Sequence, residues 1–116
     1  MADAVIFIGW DRPTVGREKQ AMQLFQKVTE YNSKLQADRK IESFEVVILS
    51  PHGGDLNGFV MLKGDAKKLA EVRQEENFVQ MVTEASYCLQ GYGVVPGYTG
   101  AGVTNVLSQW SKLIGK

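Results

Sequence analysis

The sequence predicts an α+β domain in which helices cover one face of an antiparallel sheet, in the order βαββαβ, with one further helix at the end. Three short apolar runs, Val5–Ile8, Val46–Leu49 and Phe59–Leu62, are rich in β-branched or aromatic residues and are bounded by turn formers, as strands are. The long stretches between them repeat apolar residues at helical spacing. Only Pro51 to Asn57 separates the second and third runs. That is too short for a parallel crossover, so the two form an antiparallel hairpin, which excludes Rossmann and flavodoxin-like sheets. What remains is the split βαβ sheet of ferredoxin-like folds.

The first strand is Val5–Ile8. A helix over roughly Val15–Gln36 follows, entered through Pro13 and Thr14, with Ala21, Leu24, Phe25, Val28, Tyr31 and Leu35 on its apolar face. After the hairpin, Asp65 is a good N-cap for the second helical stretch. Its apolar stripe changes phase: Leu69 and Val72 lie on one side, and Phe78, Val82, Ala85 and Leu89 on another. At ~100° per residue one straight helix cannot bury both. A kink near Glu75–Asn77 is expected, with Asn77-Phe78-Val79-Gln80 as a capping box that restarts the helix. The run Tyr92–Tyr98 is interrupted by Gly93, Pro96 and Gly97, which confines it to a sheet edge. In the tail, Val103, Val106, Leu107, Trp110, Leu113 and Ile114 form one apolar stripe against Ser108, Gln109 and Lys112. The expected division is a sheet domain over 1–100 and a helix over 101–116 that packs on the domain or on its partner.

Composition narrows the function. With 116 residues the chain is one domain; 13 Lys+Arg against 13 Asp+Glu give no general pull toward nucleic acid or anionic lipid. The single Cys88 excludes an internal disulfide framework and suits a reducing compartment. No apolar run approaches the ~20 residues of a membrane span, and Met1-Ala2-Asp3 lacks a basic leader. A cytoplasmic protein is expected. The first three strands are apolar at consecutive positions, hence on both sheet faces, whereas crossover helices cover only one. The uncovered face projects roughly 300 Å², from ~4.8 Å between strands and ~3.3 Å per residue. Two such faces packed together in an isologous homodimer would cover it, and the tail helix could clasp the partner.

Over roughly residues 4–100 the chain resembles the dimeric α/β-barrel superfamily, through its strand order, its two-sided strands and the restart EENFVQMV. More narrowly, GREKQAMQLF, IESFEVVILSPHGGDLNG and YGVVPGYTG resemble a bacterial family of uncharacterised proteins. The resemblance implies a homodimeric barrel with a pocket. It transfers no activity, because the superfamily hosts monooxygenases, isomerases, haem enzymes and ligand sensors. Its cofactor-independent monooxygenases use an Asn, a His and a Trp, but here the first strand has no Asn and the second helix no His.

His52, the only imidazole, lies in the hairpin loop with Asp55 as an orienting carboxylate for acid/base work; the same loop reads more readily as turn chemistry, with Gly53, Gly54, Asp55 and Asn57 satisfying its geometry. A Ser50–His52–Asp55 triad asks neighbours in a tight loop to converge, which the geometry disfavours. Cys88 would be a nucleophile only with His52 beside it, and otherwise a small buried hydrophobe. Gly97–Gly102 lacks the dinucleotide and P-loop patterns and reads as a bend. One His, one Cys and no clustered carboxylates give poor support for a metal; a site built from His52, Asp55 and Glu45 is the candidate considered. Ile6-Phe7-Ile8-Gly9 resembles the first strand of RNA-recognition motifs, but Asp55 and Asn57 stand where a base and a stacking aromatic are needed. Trp10, Arg12, Arg17, Tyr92 and Tyr98, near strand ends, are the candidates for substrate contact. The leading expectation is a homodimer that binds a small, partly apolar molecule in a barrel pocket without a cofactor or metal. The alternatives are a cofactor-independent monooxygenase or isomerase with His52 as acid/base, and a structural module whose interior is filled by Phe7, Val47, Leu49 and Met61.

Overall fold

The computed structural model describes residues 2–115. Met1 and Lys116, the outer ends of the two expected segments, lie outside the described residues. The elements are β1 (Ala4–Trp10), α1 (Glu18–Ala37), β2 (Ser43–Ile48), β3 (Gly58–Gly64), α2 (Ala66–Gln74), α3 (Glu76–Cys88), β4 (Gly93–Tyr98) and α4 (Ala101–Ile114). The sheet order is β2-β3-β1-β4 with every neighbouring pair antiparallel, the ferredoxin-like arrangement. β4, with Pro96, takes an outer edge as its composition requires.

Register assigns the two faces. One carries the rows Val46–Val60–Ile8–Val94 and Phe44–Leu62–Ile6–Pro96. The helices cover it, and Ile6, Leu62 and Val72 are fully buried there with Leu35, Ile41 and Leu69 around them. The other carries the rows Val47–Phe59–Gly9–Gly93 and Glu45–Met61–Phe7–Val95. Its centre is the tilted ring pair Phe7–Phe59, with centroids 5.1 Å apart and planes at 30°, and Val95 at its edge is 55% exposed. The two-sided apolar strands thus leave one face without a helix layer.

Two local expectations are corrected. α1 begins at Glu18 rather than Val15 because Gly16, at φ +88°, turns the chain there and donates its N–H to the Glu18 carboxylate. The second helix does break, but Asn77 does not cap it. Glu75 is the break, at φ −62° and ψ 139°, and its carboxylate makes no cap bond. It accepts instead from the Tyr31 hydroxyl at 2.5 Å and the Lys40 ammonium at 2.8 Å. Long-range partners fix the kink, while Asp65 caps α2 as expected, accepting from the Lys68 N–H at 3.1 Å.

α4 leaves the sheet directly after β4. Gly102 packs against the Asp3 carbonyl, where a Cβ has no room. Beyond it the helix has almost no cover: Trp110 is 57% exposed, Leu113 78% and Ile114 82%. Among the described residues, no helix is long and apolar enough to cross a membrane.

Candidate functional site

A cavity of about 870 Å³ opens between the helix-bearing face of the sheet and helices α1 and α3. It exists because α1 rests on its neighbours at two separate places. Near the start of α1, Leu24 packs with Ala85 and Cys88 of α3; near its end, Leu35 joins the main core over Leu62 and Leu69. Between these supports Phe25, Val28 and Asn32 line open space, with Ile8, Val60 and Ile48 of the sheet also on the wall. The α1 wall runs from Glu18 to Asn32, roughly 20 Å at ~1.5 Å of rise per residue.

Three segments frame the mouth. The stretch after β1 pairs with the end of α3: Asp11 donates its N–H to the Gln90 carbonyl, Gln90 to Arg12 and Thr14 to Cys88, each at 2.8 Å. The hairpin loop is tied down by Asn57, whose N–H reaches the Trp10 carbonyl at 2.8 Å. The Trp10 indole lies over Gly58, where a Cβ would stand 2.9 Å from its ring, and meets Phe25 edge-on at 6.4 Å between centroids. Glycine at 58 is thus what lets the indole lie flat beside the opening. Asp11, Arg12 and Glu18 also contribute to the lining.

Of the residues singled out from sequence, Trp10, Arg12, His52 and Tyr92 line this cavity together. Burial, and secondarily the neighbouring Cys88, push the Tyr92 phenol up to about 12, so it stays a neutral hydrogen-bond donor at physiological pH. His52 is not paired with Asp55. Its Nδ1 accepts from the Gly54 N–H at 3.0 Å, which leaves Nε2 as the protonated nitrogen donating to the Leu56 carbonyl at 2.7 Å. Asp55 is exposed and does not line the cavity. Arg17 points elsewhere: its guanidinium stacks 3.7 Å from the Tyr87 ring centroid and donates to the Tyr87 carbonyl. Tyr98, opposite Ala4, sits at the far end of the sheet beside a smaller hollow. Cys88 is fully buried, with burial foremost raising its thiol pKa, and it is no neighbour of a free imidazole. Among the described residues no group of three His, Cys, Asp or Glu side chains could hold a metal ion. Phe7, Val47 and Met61 lie on the uncovered sheet face, whereas Leu49 borders the cavity.

Sequence reasoning missed Asn32. It is 2% exposed, it lines the cavity, and its Nδ2 has no hydrogen-bond partner among the described residues. An unpaired buried amide costs about 1–3 kcal/mol. Its signal in the sequence was a polar residue at the helical spacing of Phe25, Val28 and Leu35.

No family model matches the chain, and no curated protein does. Solved structures do. A dimeric protein of unknown function and ferredoxin-like fold from Bacteroides fragilis is similar at 12% identity and TM-score 0.59, over 83% of this chain and 96% of that one. A conserved protein from Bacteroides thetaiotaomicron, described as a "possible oxidoreductase", matches at 12% identity and TM-score 0.63, over 85% and 100%. SnoaB, a cofactor-independent oxygenase from Streptomyces nogalater, matches at 15% identity and TM-score 0.51, over 85% and 93%. These likenesses show the ferredoxin-like fold.

Proposed function

We propose that this protein is a homodimeric oxidoreductase that acts, without a bound cofactor, on a small and partly apolar substrate held between its sheet and helices α1 and α3. The observation that carries the reading is the cavity of about 870 Å³, large enough for a drug-sized molecule, with an apolar wall and a few polar groups at its mouth. The reaction class is supported by the oxygenase and the possible oxidoreductase among the structural neighbours. Assembly is supported by the dimeric neighbour and by two apolar surfaces in search of cover, the face centred on Phe7 and Phe59 and the stripe of α4. We place the pocket inside each protomer, on the helix side of the sheet, rather than in a barrel between the two sheets.

Trp10, Arg12 and Tyr92 are the residues we assign to substrate contact. A substrate oxygen would accept from the neutral Tyr92 phenol, and Trp10 would supply a flat apolar wall. His52 can act as acid or base only once its loop releases the Gly54 N–H, because Nδ1 is otherwise occupied. Binding without turnover is the second reading, favoured by that engaged imidazole.

Native mass spectrometry of freshly purified protein, followed by oxygen-uptake assays with a panel of hydroquinones and naphthols, tests both parts. A dimer mass and uptake that disappears in Val28→Trp, which fills the cavity, are expected. Uptake indifferent to Val28→Trp would move the chemistry elsewhere. A dimer without uptake on any substrate would leave the binding reading in its place.

A further inference from the structure

We infer that Asn32 anchors the cavity's ligand, and that this ligand is an elongated, mainly apolar molecule whose leading end carries a neutral hydrogen-bonding oxygen, a hydroxyl or a carbonyl. The inference rests on the reading that the cavity binds a small molecule, and names the class of molecule. Asn32 is the one polar residue that is buried among those described, at 2% exposure, and its Nδ2 lacks any hydrogen-bond partner there. The fold does not ask for it. Position 32 continues the α1 stripe of Phe25 and Val28, and a leucine there would extend the apolar face toward Leu35.

Its surroundings define what it can bind. Val28, Val60, Phe78 and Val82 share the cavity lining with it, so a hydrogen bond made here is strengthened by the low local dielectric. A carboxylate or phosphate would bring a charge that a neutral amide cannot offset among apolar side chains. The charged groups of the lining, Asp11, Arg12 and Glu18, lie after β1 and at the first residue of α1; along α1, Glu18 lies roughly 20 Å from Asn32. A rod-shaped molecule with one polar tip can therefore enter tip first, satisfy the amide, and leave its far end at the mouth.

The test is equilibrium dialysis of the full-length protein with two rod-shaped probes, 4-hydroxybiphenyl and biphenyl, which differ by one hydroxyl. The measured quantity is the ratio of their dissociation constants. In the wild type the ratio favours the phenol, and in Asn32→Leu that preference falls about tenfold, the effect of one buried hydrogen bond. Asn32→Ala gives the same fall without added bulk. Asn32→Leu should also melt at or above the wild-type temperature, because it removes an unpaired amide. A ratio unchanged in both variants, with both probes still bound, would overturn the role of Asn32 and leave the cavity reading intact. A lower melting temperature for Asn32→Leu would assign the amide to the fold and overturn the inference. If neither probe binds the wild type, the cavity reading fails and this inference fails with it.

Discussion

On one half of the helix-covered sheet face, Ile6 and Leu62 are fully buried beneath α2, whose own Val72 is fully buried against them, and the end of α1. On the other half, Ile48 is 65% exposed, Phe25 40% and Met22 69%, although the same α1 passes over both. The two halves are written in the same apolar residues at the same spacing. They differ in what meets them. The break at Glu75 lets α2 lie along the closed half and redirects α3 toward α1, so that over the open half α1 and α3 meet each other at Leu24, Ala85 and Cys88. Trp10 and Phe25, in edge contact, help hold the open half apart. Apolar periodicity specifies which face of an element turns inward; it does not specify whether side chains or a ligand fill the space there.

Truncations on the two halves test that difference most strongly. Leu62→Ala should lose about 3 kcal/mol, since the deleted methyls leave a void within packed neighbours. Val28→Ala should lose less than about 1 kcal/mol, because its methyl groups already border open space. Urea unfolding of both variants measures the contrast. Equal losses would mean that the cavity closes in solution and that the two halves are one core.

The hinge between the halves comes next in size. Glu75 accepts from Tyr31 and from Lys40, and its carboxyl is held below its ordinary value of 4.5, first by the Lys40 hydrogen bond and then by that of Tyr31. The lysine is half exposed, so water screens that ion pair and the tyrosine bond carries more of the stabilisation. Glu75→Ala should destabilise the protein by about 1–2 kcal/mol at neutral pH. A carboxyl whose pKa is depressed on folding stabilises fully above its unfolded value and loses that contribution as pH falls through the folded one. The gap between wild type and Glu75→Ala should therefore hold steady above about pH 5 and narrow below 4.5. A gap that does not change between pH 7 and pH 3 would leave the hinge without its charge-assisted bonds.

These contacts mark the boundary of what the sequence discloses. Strand positions, the hairpin, the edge placement of Pro96, the Asp65 cap and the uncovered sheet face all follow from residue type and local spacing. So does the company of Trp10, His52 and Tyr92, since the strand order brings the end of β1, the hairpin loop and the start of β4 to one end of the sheet. Tyr98 falls at the other end because β4 is long enough to carry it there. What stayed hidden depends on pairs far apart in the chain. Tyr31 and Lys40 reach Glu75 and displace the expected cap at Asn77, and Tyr87 captures Arg17. Asn32 was passed over for a different reason: its place in the apolar stripe signals burial, but only the structure shows that its amide is left without a partner among the described residues.

The smallest expected effect concerns the loop at the mouth. Both imidazole nitrogens of His52 are spent on the loop's own backbone, at Gly54 and Leu56. These bonds lie near the surface, and Asn57 holds the loop to Trp10 without them. His52→Ala should therefore cost less than about 1 kcal/mol of stability, with faster amide exchange confined to residues 50–58. In the oxygen-uptake assay, a residue that only shapes the mouth raises KM several-fold and leaves kcat nearly unchanged. A proton-transfer role removes about 10²–10⁴ from kcat instead. A loss of that size would show that the loop opens during turnover and frees Nδ1. The open half would then be a moving part of the molecule, in contrast to the closed half beneath it, and the bond to Gly54 would be the latch that turnover has to release.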